Sequence, residues 1–247
     1  MKNKKFNLKV ILVEPNGPLN VGSIARLCSN FEVNELRIVS PQCDIHSLEA
    51  KKMALKGQNY IDNCKIFNNI EKAIFDCDLV LATCGRIDLS NNIECESPED
   101  ISKWIASFKE IKNLGILFGR EDRGLSNNEL LFAHKIFNIK TSQNYPSLNL
   151  SHAVSIILYE LSKSSTNNQD KDLQVFNLAS SKQIYESFNE IEEMLIRTGY
   201  LFEHTAFSKI SKFKKFILKA KTSSHEINIL RGIVHQITWF LNNSKGK

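Results

Sequence analysis

Between residues 9 and 139 the chain repeats one pattern, a short β-branched apolar run followed by an amphipathic stretch long enough for a helix. Strands that alternate with helices in this way form βα units and pair in parallel. The predicted strands are Lys9 to Val13, Glu35 to Val39, Cys64 to Phe67, Leu79 to Thr83, Leu114 to Phe118 and Lys135 to Ile139. Helices are predicted at 20–31, 47–56, 69–76, 98–109 and 126–133. One more follows the last strand, where Leu150, Ala153, Val154, Ile157, Leu158 and Leu161 recur at the helical period. The fold class is α/β with a parallel sheet.

After that helix the pattern stops. Lys163 to Gln174 (KSSTNNQDKDLQ) is polar and aperiodic and reads as a linker. The predicted organisation is a body at residues 1–163, a linker at 164–178 and a small helical extension at 179–247. The extension patterns as helices near 180–198, 206–219 and 223–242, with Ser180, Thr205 and Ser223 as caps. It also holds the whole excess of positive charge: 11 Lys and Arg against 6 Asp and Glu, while the chain before it balances at 21 of each. From Thr205 to Lys221 there is no acid, and Lys209, Lys212, Lys214, Lys215, Lys219 and Lys221 are interleaved with Phe207, Phe213 and Phe216. Such a segment suits a polyanion such as RNA, and it equally suits a solvated helix face whose phenylalanines pack inward.

Several classes are excluded. The apolar run from Val10 stops at Glu14, and nowhere do about 18 apolar residues follow one another, so neither an export signal nor a membrane span is expected. The six cysteines contain no CxxC pair, as expected of a reduced cytoplasmic protein without structural zinc. No HExxH, Walker A or GxGxxG motif occurs.

Three segments place Gly, Asn and Arg where predicted strands run into helices, the ligand-binding ends of open α/β sheets. In Pro15 to Arg26 (PNGPLNVGSIAR), the free amides of a helix start and Asn20 would face a polar or anionic ligand, and Gly22 lets a backbone or nucleotide approach the face that carries Arg26. The plainer alternative is a turn with a surface salt bridge. In Leu117 to Ser126 (LFGREDRGLS), Gly119 permits close approach of a cofactor, and Glu121 between Arg120 and Arg123 is either a site residue or part of an ion-pair network. In Ile139 to Ala153 a polar loop precedes Ser147-Leu148-Asn149, residues that are either helix caps or site residues.

Together, NxGxxAR at Asn20 to Arg26, FGRE…GL at Phe118 to Leu125 and SLNLSHAV at Ser147 to Val154 resemble the three motifs of the SpoU branch of the SPOUT methyltransferases. The tail, with Glu226 to Ile233 (EINILRGI), is similar to the C-terminal extension of the TrmJ family, which methylates the ribose 2′-hydroxyl of cytidine or uridine 32 in the tRNA anticodon loop. The resemblance implies a deep trefoil knot in the sheet domain, a device otherwise nearly absent from proteins. It further implies a homodimer, S-adenosylmethionine (SAM) as cofactor with S-adenosylhomocysteine as product, tRNA as partner and no metal.

Matched to the family segment by segment, the cofactor is held by Thr83, Cys84, Gly85, Leu117, Gly119, Ile139, Ser147, Leu148 and Asn149. The catalytic set implied is Arg26, Asn20, Glu121, Ser147 and Asn149. RNA contacts fall to Arg26, Arg120 and the tail residues Lys209, Lys212, Lys214, Lys215 and Lys219. Because a guanidinium keeps its protons, Arg26 is expected to grip a phosphate and stabilise the developing alkoxide rather than act as the base. The same motifs also serve SpoU enzymes acting on rRNA or on other tRNA positions, or an inactive RNA-binding relative; the tail favours the anticodon-loop reading.

Overall fold

Strands that pair in parallel through helical crossovers are covered on both faces, so each needs apolar side chains on both. The first strand shows the consequence, with every residue from Leu8 to Val13 buried. The six strands are β1 (Asn7–Val13), β2 (Glu35–Val39), β3 (Lys65–Phe67), β4 (Leu79–Thr83), β5 (Asn113–Phe118) and β6 (Lys135–Phe137). They form one sheet in the order β3-β2-β1-β5-β4-β6, with every neighbouring pair parallel. The structure is a computed structural model describing residues 6–85, 95–108, 111–142, 144, 147–164, 178–220 and 222–243. The chain divides into two compact units, residues 1–175 and 176–247.

In the first unit the helices are α1 (Pro18–Asn30), α2 (Leu48–Ala54), α3 (Gln58–Asp62), α4 (Ile70–Ile74), α5 (Pro98–Ala106), α6 (Asn127–Leu130) and α7 (Leu150–Ser164). From β1 the chain passes through α1 to β2 on one side, and from β5 through α6 to β6 on the other. The chain therefore leaves the paired strands β1 and β5 in opposite directions, which opens a crevice at their C-terminal ends. The predicted strands match those observed, with β6 ending at Phe137. The path implied by the knot runs between β4 and α7 and includes residues outside those described. The predicted linker also lies largely outside them.

One predicted helix is present but ends early. The stretch 47–56 stops at Leu55, whose φ of 48° lies in the left-handed region, and after a single 3₁₀ turn α3 begins. The break seats Gly57 against α1, where a Cβ would stand 2.5 Å from the Ala25 carbonyl oxygen. Gly22 has the same role one turn earlier: a Cβ there would lie 2.3 Å from the Ala50 carbonyl oxygen of α2. Of the two partners expected for Gly22, backbone or nucleotide, the backbone is the one present.

The second unit packs α8 (Ser181–Arg197), α9 (Glu203–Lys219) and α10 (Ser224–Asn243) around Ile184, Phe188, Ile191, Leu201, Ile227 and Val234. Ser180 and Gln183 form a reciprocal capping box at the start of α8. Ser223 does the same for α10, since Glu226 N–H donates to its hydroxyl and its own N–H donates to the Glu226 carboxylate. Thr205 is not a cap: the Phe202 carbonyl already accepts from the N–H groups of Thr205 and Ala206, so α9 starts three residues earlier than predicted, at Glu203. Phe213 packs inward, edge-on to Phe188, whereas Phe216 is exposed. Among the described residues no helix is long and apolar enough to cross a membrane.

Two cations are buried beside the sheet. Lys9 on β1 and Arg37 on β2 both reach Asp76, at 2.6 Å from Lys9 Nζ and in a two-pronged contact of 2.6 and 2.9 Å from the guanidinium. Glu35 accepts a further bond from Arg37 at 2.7 Å. The Arg37 hydrogen bond holds the Asp76 carboxyl well below the usual aspartate range. A depressed folded-state pKa means that its contribution is fully present above about pH 4 and is lost as pH falls through the folded value. Replacing Asp76 by Ala leaves two buried cations short of a partner and should destabilise the fold by about 3 kcal/mol, the low end for a broken buried pair because Asp76 itself is half exposed. Denaturant unfolding at pH 7 checks the loss, and the variant should also show a weaker decline in stability below pH 4.

Candidate active site

The start of α1 lacks an acceptor of its own. Pro18 occupies the first turn, where its missing N–H does no harm, and the N-cap Gly17 has no side chain with which to cap. The acceptor comes from the loop after β5. Glu121 Oε1 accepts from Gly17 N–H at 3.1 Å and from Asn20 Nδ2 at 3.0 Å, while Oε2 accepts from Asn16 N–H at 3.0 Å. Two amides just ahead of the helix, and the Asn20 side chain expected to face a ligand, thus meet a carboxylate of the same chain, a favourable partner for the positive end of a helix. Nor is Glu121 the centre of an arginine network.

Asn20 passes the connection on. Its Oδ1 accepts from Asn149 Nδ2 at 3.0 Å, and Asn149 Oδ1 in turn accepts from the N–H and hydroxyl of Ser151 at 2.8 and 2.7 Å. Asn149 is therefore both the cap of α7 and a link to α1. One chain of hydrogen bonds joins all three motif segments.

Arg120 was expected at the RNA surface, and the structure corrects this. Its side chain is only 8% exposed; Nε donates to Glu14 at 2.6 Å, and the two terminal nitrogens donate to the two oxygens of Glu129 at 2.9 and 2.8 Å. The Arg120 hydrogen bond lowers the Glu14 carboxyl. Burial raises that of Glu129, but the bonds from Arg120 and Ser126 outweigh it and leave it low as well. Glu129 also closes a capping box with Ser126, so this one carboxylate anchors both the loop and α6. Glu14 and Glu129 were not singled out from the sequence, although the Ser126-x-x-Glu129 spacing is a readable capping signal. Gly119 likewise serves the loop. A Cβ on it would stand 2.2 Å from the Gly124 carbonyl carbon, where the loop folds back on itself with Gly124 at a φ of 70°.

Beside this loop lies a cavity of about 240 Å³, a little under the roughly 300–1,000 Å³ of common ligand sites. Thr83, Cys84, Gly85, Gly119, Ile139, Ser147 and Leu148 all line it, as does Glu121. Two expected cofactor residues do not. Leu117 is fully buried and its carbonyl accepts from the Thr83 hydroxyl at 3.2 Å; Asn149 is directed to Asn20. The lining residue Asn138 was missed in the sequence. Its side-chain amide donates to the Cys84 carbonyl at 2.6 Å, holding the end of β4 beside β6. Phe118 and Phe137 add an apolar wall, and among the described residues no atom lies within 4 Å of where a Gly85 side chain would begin. Arg26 is exposed on α1 and is not part of the lining.

The catalogue of known proteins agrees with this architecture. The model of the SpoU rRNA Methylase family matches residues 7–159, and the chain belongs to that family. The tRNA (cytidine-2'-O-)-methyltransferase TrmJ of Methanocaldococcus jannaschii is 39% identical over 192 residues, 77% of this chain and 78% of that protein. The tRNA (cytidine/uridine-2'-O-)-methyltransferase TrmJ of Escherichia coli K12 is 29% identical over 237 residues, 94% and 95% of the two chains. The crystal structure of TrmJ from Z. mobilis ZM4 superposes with a TM-score of 0.80 at 27% identity, covering 93% of this chain and 98% of that one.

Two glycine substitutions separate loop packing from mere cavity lining. Gly119→Ala forces a methyl group into backbone and should destabilise by about 3 kcal/mol, the upper range for overpacking. Gly85→Ala adds a methyl that meets no described residue within 4 Å and should leave the denaturant midpoint nearly unchanged. Equal midpoints for the two variants would show that the loop does not close on Gly119.

Proposed function

We propose that this chain transfers the methyl group of SAM to a ribose 2′-hydroxyl of tRNA, at cytidine or uridine 32 of the anticodon loop, and releases S-adenosylhomocysteine. One observation carries the reading. Seven residues that the family resemblance assigns to the cofactor, drawn from separate stretches of the chain, line one cavity at the C-terminal end of the sheet. Relatives named for tRNA 2′-O-methylation span most of the chain.

The cavity suits the cofactor chemically. Gly85 and Gly119 offer side-chain-free backbone, and Phe118, Phe137 and Leu148 offer an apolar surface to an adenine ring. Bound SAM supplies a methyl group on a sulfonium, a leaving group that asks for alignment more than activation. Alignment is what the protein residues provide: Glu121, Asn20 and Asn149 fix one wall of the site, and Ser147 sits exposed at its edge.

Arg26 grips the phosphate beside the target ribose and stabilises the developing alkoxide. It shares an exposed face of α1 with Leu19, beside the exposed Met53 that packs near Gly22. An exposed apolar face carrying the catalytic arginine supports a homodimer in which Arg26 serves the cavity of a second copy. Residues 1–163 hold the chemistry, and 179–247 grip RNA. In that tail Lys209 and Lys212 are exposed, Lys214 is half-buried, and the side chains of Lys215 and Lys219 lie outside those described. Phosphate contacts of this kind weaken steeply with salt. The cytoplasm, which holds the tRNA pool, is the working compartment.

The test is transfer of labelled methyl from SAM to unmodified tRNA, with the modified ribose mapped by mass spectrometry. The wild type should label one anticodon-loop ribose. Arg26→Ala should lower the rate by about 100-fold or more, as for loss of one oxyanion-stabilising donor, with calorimetric affinity for S-adenosylhomocysteine kept. No transfer by the wild type overturns the reading; loss of cofactor binding in the variant reassigns Arg26 to the cofactor.

A further inference from the structure

The corner between α8 and α9 turns aromatic rings into water. Gly199, at a φ of 78°, ends α8, and Leu201 then enters the core of the second unit. Its two neighbours point away from the core: Tyr200 is 67% exposed and Phe202 61%. Small polar residues would meet that geometry without leaving two large rings in solvent. The rings are also arranged. Phe202 stacks on His204 with centroids 5.8 Å apart and planes 19° from parallel, and Lys209 Nζ stands 5.3 Å from the centre of the Tyr200 ring. Lys212, one turn further along α9, is exposed as well, and although Glu203 lies between Phe202 and His204 in sequence, no acid follows it from Thr205 to Lys221.

One ring beside an ammonium group and a second stacked on an imidazole match one kind of ligand, a single-stranded nucleotide, whose base stacks on an aromatic ring while its phosphate meets a cation. A purely apolar protein partner would bury Lys209 and His204 without pairing them. We infer that Tyr200 and Phe202, with His204 and Lys209, form a stacking site for an unpaired base of the substrate RNA, adding base contacts to the phosphate grip of the tail. The inference rests on reading the chain as an RNA methyltransferase, and it makes the tail a reader of unpaired loops rather than a general polyanion binder.

The experiment uses the full-length protein. Affinities of the wild type, Tyr200→Ala/Phe202→Ala, Tyr200→Phe and Lys209→Ala are measured by fluorescence anisotropy on unmodified tRNA and on a fully paired RNA duplex, across a potassium chloride series. The double variant should bind tRNA about tenfold or more weakly, with the slope of log affinity against log salt unchanged. It should bind the duplex and S-adenosylhomocysteine as the wild type does. Tyr200→Phe, which keeps the ring, should retain wild-type affinity for tRNA, and Lys209→Ala should reduce the salt slope by about 1. Unchanged tRNA affinity in the double variant, or equal losses on tRNA and duplex, overturns the inference. So does unchanged affinity accompanied by an altered sedimentation coefficient, which would make the corner a protein interface. Labelled methyl transfer by the wild type keeps the functional reading standing whichever way the stacking test falls.

Discussion

The architecture of the site hangs on one carboxylate. Glu121 stands in a loop after β5, yet its oxygens accept from two backbone amides ahead of α1 and from the side chain of Asn20. An ionised acceptor with several N–H partners makes strong, directional bonds, and at a helix N-terminus it also meets the positive end of the helix. The bond from Asn149 to Asn20 extends the connection to α7. The order of the strands brings these groups together, since β1 and β5 are adjacent although more than a hundred residues separate them in the chain.

Around that carboxylate the loop is held by a second, separate device. Arg120 turns away from solvent into Glu14 and Glu129, and Gly119 lets the returning strand of the loop lie directly against it. Neighbouring residues in the motif therefore reach different partners: Arg120 ties the loop to Glu14 and α6, and Glu121 ties it to the start of α1. Cavity walls built in this way need no rearrangement to present their backbone groups, which suits a reaction whose main requirement is alignment.

The strands, the apolar stripe of α7 and the caps Ser126, Ser180 and Ser223 were legible because each depends on residues within a few positions of one another. The three motif segments were legible by their residue types and order. What they touch was not. Of the two readings open for Glu121, the ion-pair network rested on the flanking Arg120 and Arg123, but a loop turn separates the directions of adjacent side chains, and its partners lie at 16, 17 and 20. Gly22 and Gly57 carried no sign of their partners, since the contact that excludes a Cβ comes from another helix. The break at Leu55 escaped for the same reason, as local propensity favours continuing the helix and only packing on α1 rewards stopping it.

By itself the sequence determined a parallel α/β body, a basic helical tail and the residues from which the site is made, because periodicity, caps and charge are local and survive in one dimension. Only the tertiary structure decided which donors meet which acceptors, that Arg120 faces inward, that Arg26 stands outside the cavity lining, and that Tyr200 and Phe202 face water. These are matters of distance between segments remote in the chain, and hydrogen bonds, ion pairs and steric exclusion act only over the few ångströms that folding brings about.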